Sequence, residues 1–108
     1  MWELFCIFSV VRIIAKRTLR EFWEKYPPAE ESLKTWYDVA SDADWNSPHD
    51  IKSQYAHASI LPENRVVFNI KGNNYRLVTW INYQKQLIFI KFIGTHTEYD
   101  KIDATTYK

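Results

Sequence analysis

Residues 65–93 read RVVFNIKGNNYRLVTWINYQKQLIFIKFI, and three apolar runs within this stretch decide the fold. Arg65–Ile70, Tyr75–Asn82 and Leu87–Ile93 are rich in β-branched and aromatic residues and alternate with a period of two, the repeat of a strand that lays one face on a core. Lys71-Gly72-Asn73-Asn74 and Asn82-Tyr83-Gln84-Lys85 separate them and are of hairpin length, so a three-stranded meander is expected. With the turns centred on Gly72-Asn73 and Tyr83-Gln84, residue 76 faces 69 on one side and 91 on the other. One face then carries Val66/Thr79/Ile88, Phe68/Leu77/Ile90 and Ile70/Tyr75/Phe92, nearly all apolar, and must be buried. The other carries Arg65/Trp80/Leu87, Val67/Val78/Phe89 and Asn69/Arg76/Lys91, a half-apolar surface crossed by one cationic row.

Upstream the period lengthens. Val10–Ile14 is short and β-branched and reads as a first strand. Thr18 and Glu21 have the spacing of a capping box, and Leu19, Phe22, Trp23 and Tyr26 mark one face of a helix that Pro27-Pro28 ends. Ala29, Leu33, Trp36, Tyr37 and Ala40 mark a second helix beginning near Pro28, and Pro48 to about Tyr55 a third. These faces need the apolar side of the meander. The expected class is therefore α+β, in the order β-α-α-α-β-β-β with a short C-terminal turn or helix, the helices packed on one face of a small antiparallel sheet. A chain of 108 residues suits one domain over residues 1–108, with 1–10 as an N-terminal extension.

Charge is segregated along the chain. Residues 65–97 carry Arg65, Lys71, Arg76, Lys85 and Lys91 and no acid, whereas residues 21–64 hold nine acids against Lys25, Lys34 and Lys52. A clustered basic face holds polyanions even at a formal net charge of +1. The single cysteine, Cys6, rules out an internal disulfide and a cysteine zinc site, which fits a reducing cytoplasm. Leu4–Ile14 is too short to span a membrane, and its positive charges follow it instead of preceding it as in a signal peptide.

Arg76 and Lys91 as cross-strand neighbours would repel unless an anion lay between them. Gly94 just beyond the third strand permits a sharp exit that brings His96 and Tyr99 back toward the cationic row. Together these are parts for RNA cleavage without a metal or other cofactor: a group to take the proton of a ribose 2′-hydroxyl, cations to hold the phosphorane charge, and an acid for the leaving 5′-oxygen. Histidine, with a free pKa of about 6.5, suits either proton transfer. His49 and His57 lie in the acidic half with no partner at ligand spacing. Two other readings use the same face: a non-catalytic RNA-binding or regulatory module stacking bases on Trp80 and Phe89, and a small-molecule binder.

Val66-Val67-Phe68-Asn69-Ile70-x-Gly72-Asn73-x-Tyr75-Arg76-Leu77 and Phe92-Ile93-Gly94-Thr95-His96-x-Glu98-Tyr99-Asp100 resemble the two signature stretches of HigB toxins in the RelE-like superfamily. Arg12-Ile13-Ile14-Ala15, Phe22-Trp23, Ala29-Glu30, Leu33-x-x-Trp36-Tyr37 and Asp50-Ile51-Lys52 resemble its N-terminal half, so the likeness spans about residues 11–104. The resemblance implies a cytoplasmic, ribosome-associated mRNA endonuclease that leaves a 2′,3′-cyclic phosphate. It also implies a HigA-type helix-turn-helix antitoxin, through which the complex would bind operator DNA. On this reading Arg76 and Lys91 stabilise the scissile phosphate, His96 and Tyr99 are the candidates for proton transfer, and Asn69, Lys71 and Arg65 grip neighbouring phosphates or bases. Members usually begin near the position of Val11. The apolar Met1–Val10 would need burial against the domain, an antitoxin or another copy.

Overall fold

Alternation at 65–93 does produce a meander, and the helices cover its apolar face. The computed structural model describes residues 12–72 and 74–102. The inferred extension Met1–Val10, the start of the first strand at Val10 and Val11, and the turn residue Asn73 lie outside them. The elements are β1 (Arg12–Ile14), α1 (Lys16–Lys25), a 3-10 turn (Pro27–Ala29), α2 (Glu30–Asp42), α3 (Pro48–Gln54), β2 (Ser59–Leu61), β3 (Arg65–Ile70), β4 (Tyr75–Asn82), β5 (Leu87–Thr95) and α4 (His96–Tyr99). They form one five-stranded sheet in the order β1-β5-β4-β3-β2.

The class is α+β as expected, with two changes to the sheet. It is mixed and not purely antiparallel, because β1 runs parallel to β5 with Ile13 beside Ile88. A short β2 also pairs with β3 from Ser59 opposite Val67 to Leu61 opposite Arg65. Neither could be read from alternation, since three residues do not establish a period. The expected capping box at Thr18 and Glu21 is absent too. Helix α1 begins earlier, after Ala15 at φ 79°, and Glu21 instead takes a hydrogen bond from Arg17 at 2.8 Å.

Leu19 and Phe22 of α1, Leu33, Trp36 and Ala40 of α2 and Ile51 of α3 pack onto Val66, Phe68, Leu77, Ile81, Ile88 and Ile90 of the sheet. Phe68 is the centre of this layer. Its ring lies 5.3 Å from Trp36, 5.8 Å from Trp45 and 5.3 Å from Tyr55, geometry worth more than area alone. Polar groups in the layer are mostly paired. Thr79 Oγ1 donates to the Val66 carbonyl at 2.9 Å, Trp45 Nε1 donates to Gln54 Oε1 at 3.0 Å, and Gln86 Nε2 donates to the Trp45 carbonyl at 2.8 Å, tying the β4–β5 turn to the loop before α3.

The first hairpin has the expected register, Arg65 opposite Trp80 through Ile70 opposite Tyr75. In the second it differs. Asn82 pairs with Leu87, so four residues make the turn and Gln86 takes φ 56°. A bulge then intervenes, because Thr79 pairs with Ile90 but Val78 with Phe92, which leaves Lys91 without a partner in the ladder. A bulge residue exchanges the two faces beyond it. Phe92, expected in the core, therefore packs on the outer face with Val67 and Val78, and Ile93 takes the inward place.

Tyr83 in the β4–β5 turn keeps a buried hydroxyl with no hydrogen-bond partner among the described residues, and burial pushes its phenol above its ordinary value. A raised phenol contributes stability that is present below about pH 10 and is lost as the pH rises past it. Tyr83→Phe removes both effects. The unfolding free energy from denaturant titration should be unchanged or raised by up to about 1 kcal/mol at neutral pH and should decline less steeply above about pH 10. A clear loss of stability at pH 7 would contradict this account.

Candidate functional site

The outer face carries the residues with chemistry. Arg76 on β4 lies between Asn69 on β3 and Gly94 on β5, half-buried, with Nη1 3.3 Å from the Tyr75 carbonyl oxygen. The expected pairing of Arg76 with Lys91 is thus corrected to Arg76 with Gly94, for two physical reasons: the longer turn and the bulge. No like charges face each other across this pair.

Glycine at 94 is there for space. A Cβ at this position would lie 2.6 Å from Phe92 Cζ and 2.7 Å from Glu98 Oε1, both far inside contact distance. The Phe92 ring and the Glu98 carboxylate therefore converge over Gly94, whose cross-strand partner is Arg76. Glu98 is held there by a capping box. Thr95 Oγ1 accepts the Glu98 N–H at 3.1 Å, and Glu98 Oε1 accepts the Thr95 N–H at 2.9 Å. The sequence predicts only a sharp exit at Gly94, whereas the structure shows a close approach beneath Phe92 and Glu98. The Thr-x-x-Glu spacing at 95–98 was the signal for the cap.

His96 opens α4 with an exposed side chain, and its backbone N–H donates to the Asn74 carbonyl at 3.1 Å. Strand β5 therefore runs on past Gly94 alongside the start of β4, and His96 follows Gly94 by about 7 Å of strand rise. Tyr99 turns back over the sheet and packs on Val67 and Val78 together with Leu61 and Phe92. Arg76, His96 and Tyr99 thus belong to one end of the outer face. Lys91 does not sit in the Arg76 row. It is three residues from Gly94, about 10 Å along the strand, and its Nζ lies 5.6 Å from the Phe89 ring centre. Phe89 in turn meets Trp80 at 5.2 Å, giving a partly exposed aromatic pair beside a cation.

The remaining candidates divide. Arg65 is only 6% exposed, with Nη1 3.4 Å from both the carbonyl and Oε1 of Glu63, which leaves little of its guanidinium for a phosphate. Lys71 is exposed in the β3–β4 turn at φ 53°. Asn69 sits where β3 runs beyond the end of β2, and it lines a furrow on that edge. One part of the furrow, about 830 Å³, lies against α2, Tyr55 and Lys71, and a second, about 440 Å³, is lined by Tyr55, His57, Asn69 and Gly72. His57, remote from the site by sequence, thus shares a wall with Asn69, whereas His49 is exposed on α3. Among the described residues no cluster of His, Cys, Asp and Glu suits a metal, and no helix is long and apolar enough to cross a membrane.

Residues 29–102 match the family model described as HigB toxin, the RelE-like toxic component of a toxin-antitoxin system. The mRNA interferase HigB of Escherichia coli O6:H1 strain CFT073 is 29% identical over 94 residues, covering 85% of this chain and 91% of that protein. The mRNA interferase toxin HigB of Escherichia coli K12 is 25% identical over 96 residues, covering 87% of this chain and 92% of that protein, and the mRNA interferase HigB of Shigella flexneri matches to the same extent.

The packing at Gly94 can be tested directly. Gly94→Ala should displace the Phe92 ring or the Glu98 carboxylate, cost about 1–3 kcal/mol in chemical unfolding and loosen α4. Amide exchange at Thr95 and Glu98 should accelerate more than exchange in β3, and equal protection throughout would count against the capping geometry.

Proposed function

The chain belongs to the HigB toxin family, the RelE-like toxic components of toxin-antitoxin systems, and from that premise we propose that it is an mRNA interferase. Its substrate is mRNA in the cytoplasm, engaged on the ribosome, and its antagonist is a HigA-type helix-turn-helix antitoxin that carries the pair to operator DNA. The observation that carries the catalytic reading is the half-buried Arg76 in the ladder beside Gly94, from which the chain runs on into His96.

The ribose 2′-oxygen attacks the adjacent phosphorus, forming a P–O bond as the bond to the 5′-oxygen breaks. A 2′,3′-cyclic phosphate and a 5′-hydroxyl result. No water and no oxidant enter this step. Arg76 neutralises the charge that grows on the phosphorane oxygens, the electrostatic contribution that usually dominates such reactions. His96 and Tyr99 take the 2′-proton and return one to the 5′-oxygen. Lys91, set apart from Arg76 by the bulge, holds a flanking phosphate on this reading while a base rests on Trp80 and Phe89. A binding module without catalysis would use this aromatic pair and the neighbouring cations to hold a single strand and would yield no cyclic ends.

Ribosomes programmed with a defined mRNA and the purified protein distinguish the two. The protein should release fragments with cyclic phosphate and 5′-hydroxyl ends. Arg76→Ala should lower the single-turnover rate by about 10²–10³ and His96→Ala by about 10²–10⁴, with unchanged circular dichroism. Full activity in the double variant would end this assignment.

A further inference from the structure

We propose that Glu98 is a positioning residue for the cleavage step, fixing through its capping box the single helical turn that carries His96 and Tyr99. This rests on the ribonuclease reading of those two residues and adds to it a side chain that acts on them through the backbone. The sheet fixes the chain only as far as His96. Strand β4 begins at Tyr75, opposite Thr95, so the ladder ends there, and one further bond runs from the His96 N–H to the Asn74 carbonyl at 3.1 Å. Residues 96–99 must hold their direction by other means.

Helix α4 is four residues long, and one turn of helix does not persist in water by itself. At its far end Tyr99 packs on Val67 and Val78. At its near end, where His96 stands, the fastening is the pair of bonds between Thr95 and Glu98. Glu98 Oε1 accepts the Thr95 N–H at 2.9 Å, and the Glu98 N–H donates to Thr95 Oγ1 at 3.1 Å. These bonds join the residues on either side of His96 and Thr97, and so bracket the histidine.

The Glu98 carboxylate is turned back onto the strand. A Cβ on Gly94 would lie 2.7 Å from Oε1, which puts that oxygen against the buried Gly94 backbone while the residue as a whole stays exposed. Losing this side chain therefore costs the direction of the turn and leaves the packed layers as they are. What the box needs from residue 98 is an acceptor oxygen, which glutamine supplies as well as glutamate. Direction matters because a proton moves only between groups within hydrogen-bond reach, and a displacement of about 1 Å can cost on the order of 10²-fold in rate.

Single-turnover cleavage of a defined mRNA on programmed ribosomes, with the full chain in excess at a series of concentrations, separates the maximal rate from the half-saturating concentration. Glu98→Ala should lower the maximal rate about 10- to 10²-fold and leave half-saturation within about twofold. Glu98→Gln should recover most of the rate, because its amide oxygen accepts the same bond. Thr95→Ala removes the other half of the box and should resemble Glu98→Ala, and the double variant should fall little further, since two bonds that hold one turn do not act independently. Full rate in Glu98→Ala overturns the positioning role. So does a Glu98→Gln variant as slow as Glu98→Ala, which would make the carboxylate itself a reacting group, and so do single losses that multiply in the double variant. A loss confined to half-saturation overturns it as well, in favour of a binding contact. In each of these cases cleavage by the unaltered chain leaves the ribonuclease reading intact, whereas no cleavage by the unaltered chain defeats that reading and the role of Glu98 with it.

Discussion

One extra residue in β5 governs the outer face. Between Phe92 and Ile90, which pair with Val78 and Thr79, Lys91 has no ladder partner. Side chains alternate on a strand, so a single unpaired residue sends everything beyond it to the opposite face. Phe92 comes outward as a hydrophobic base for Tyr99, Ile93 goes inward against the core, and Gly94 arrives across from Arg76. A regular strand would have placed an aromatic ring in the core and a lysine beside the arginine. The bulge trades ladder regularity for an arginine paired across the ladder with a glycine over which Phe92 and Glu98 close.

Everything downstream follows from that placement. The Gly94 backbone can pass beneath Phe92 and Glu98 only because it has no Cβ, and the Thr95–Glu98 capping box then starts α4 at His96. A four-residue helix has little stability of its own, since nucleation is unfavourable and short helices depend on tertiary contacts. It is held by Tyr99 on Val67 and Val78 and by the bond from the His96 N–H to Asn74. The proton-transfer candidates thus ride on an element with little stability of its own, fastened to the sheet.

The helical layer contributes in another way. Trp36, Trp45 and Tyr55 close around Phe68, and this cluster sets the distance between α2 and the edge of the sheet. Where β3 outruns β2, that spacing opens a furrow next to Asn69. Core packing and the recess beside Asn69 are therefore consequences of the same aromatic contacts, and Trp36 belongs to both.

Alternation at 65–70 and 75–82, helical spacing at 19–26 and 33–40, and the punctuation by Pro27, Pro28 and Pro48 sufficed for the α+β class, the buried face and the first hairpin register. They are local signals, governed by backbone periodicity and turn chemistry. The outward position of Arg76 was legible for the same reason, because it depends on β3 and β4 alone. The length of the second turn, the bulge at Lys91, the parallel docking of β1, the burial of Arg65 and the approach of His57 to Asn69 were not. Each is decided by a balance between residues far apart in the chain: Gln86 reaching the Trp45 carbonyl, Ile13 beside Ile88, Phe92 on Val67. Sequence periodicity cannot weigh a one-residue slip against contacts that exist only once the layers have closed, and that is why the strands were readable but the neighbours of the arginine were not.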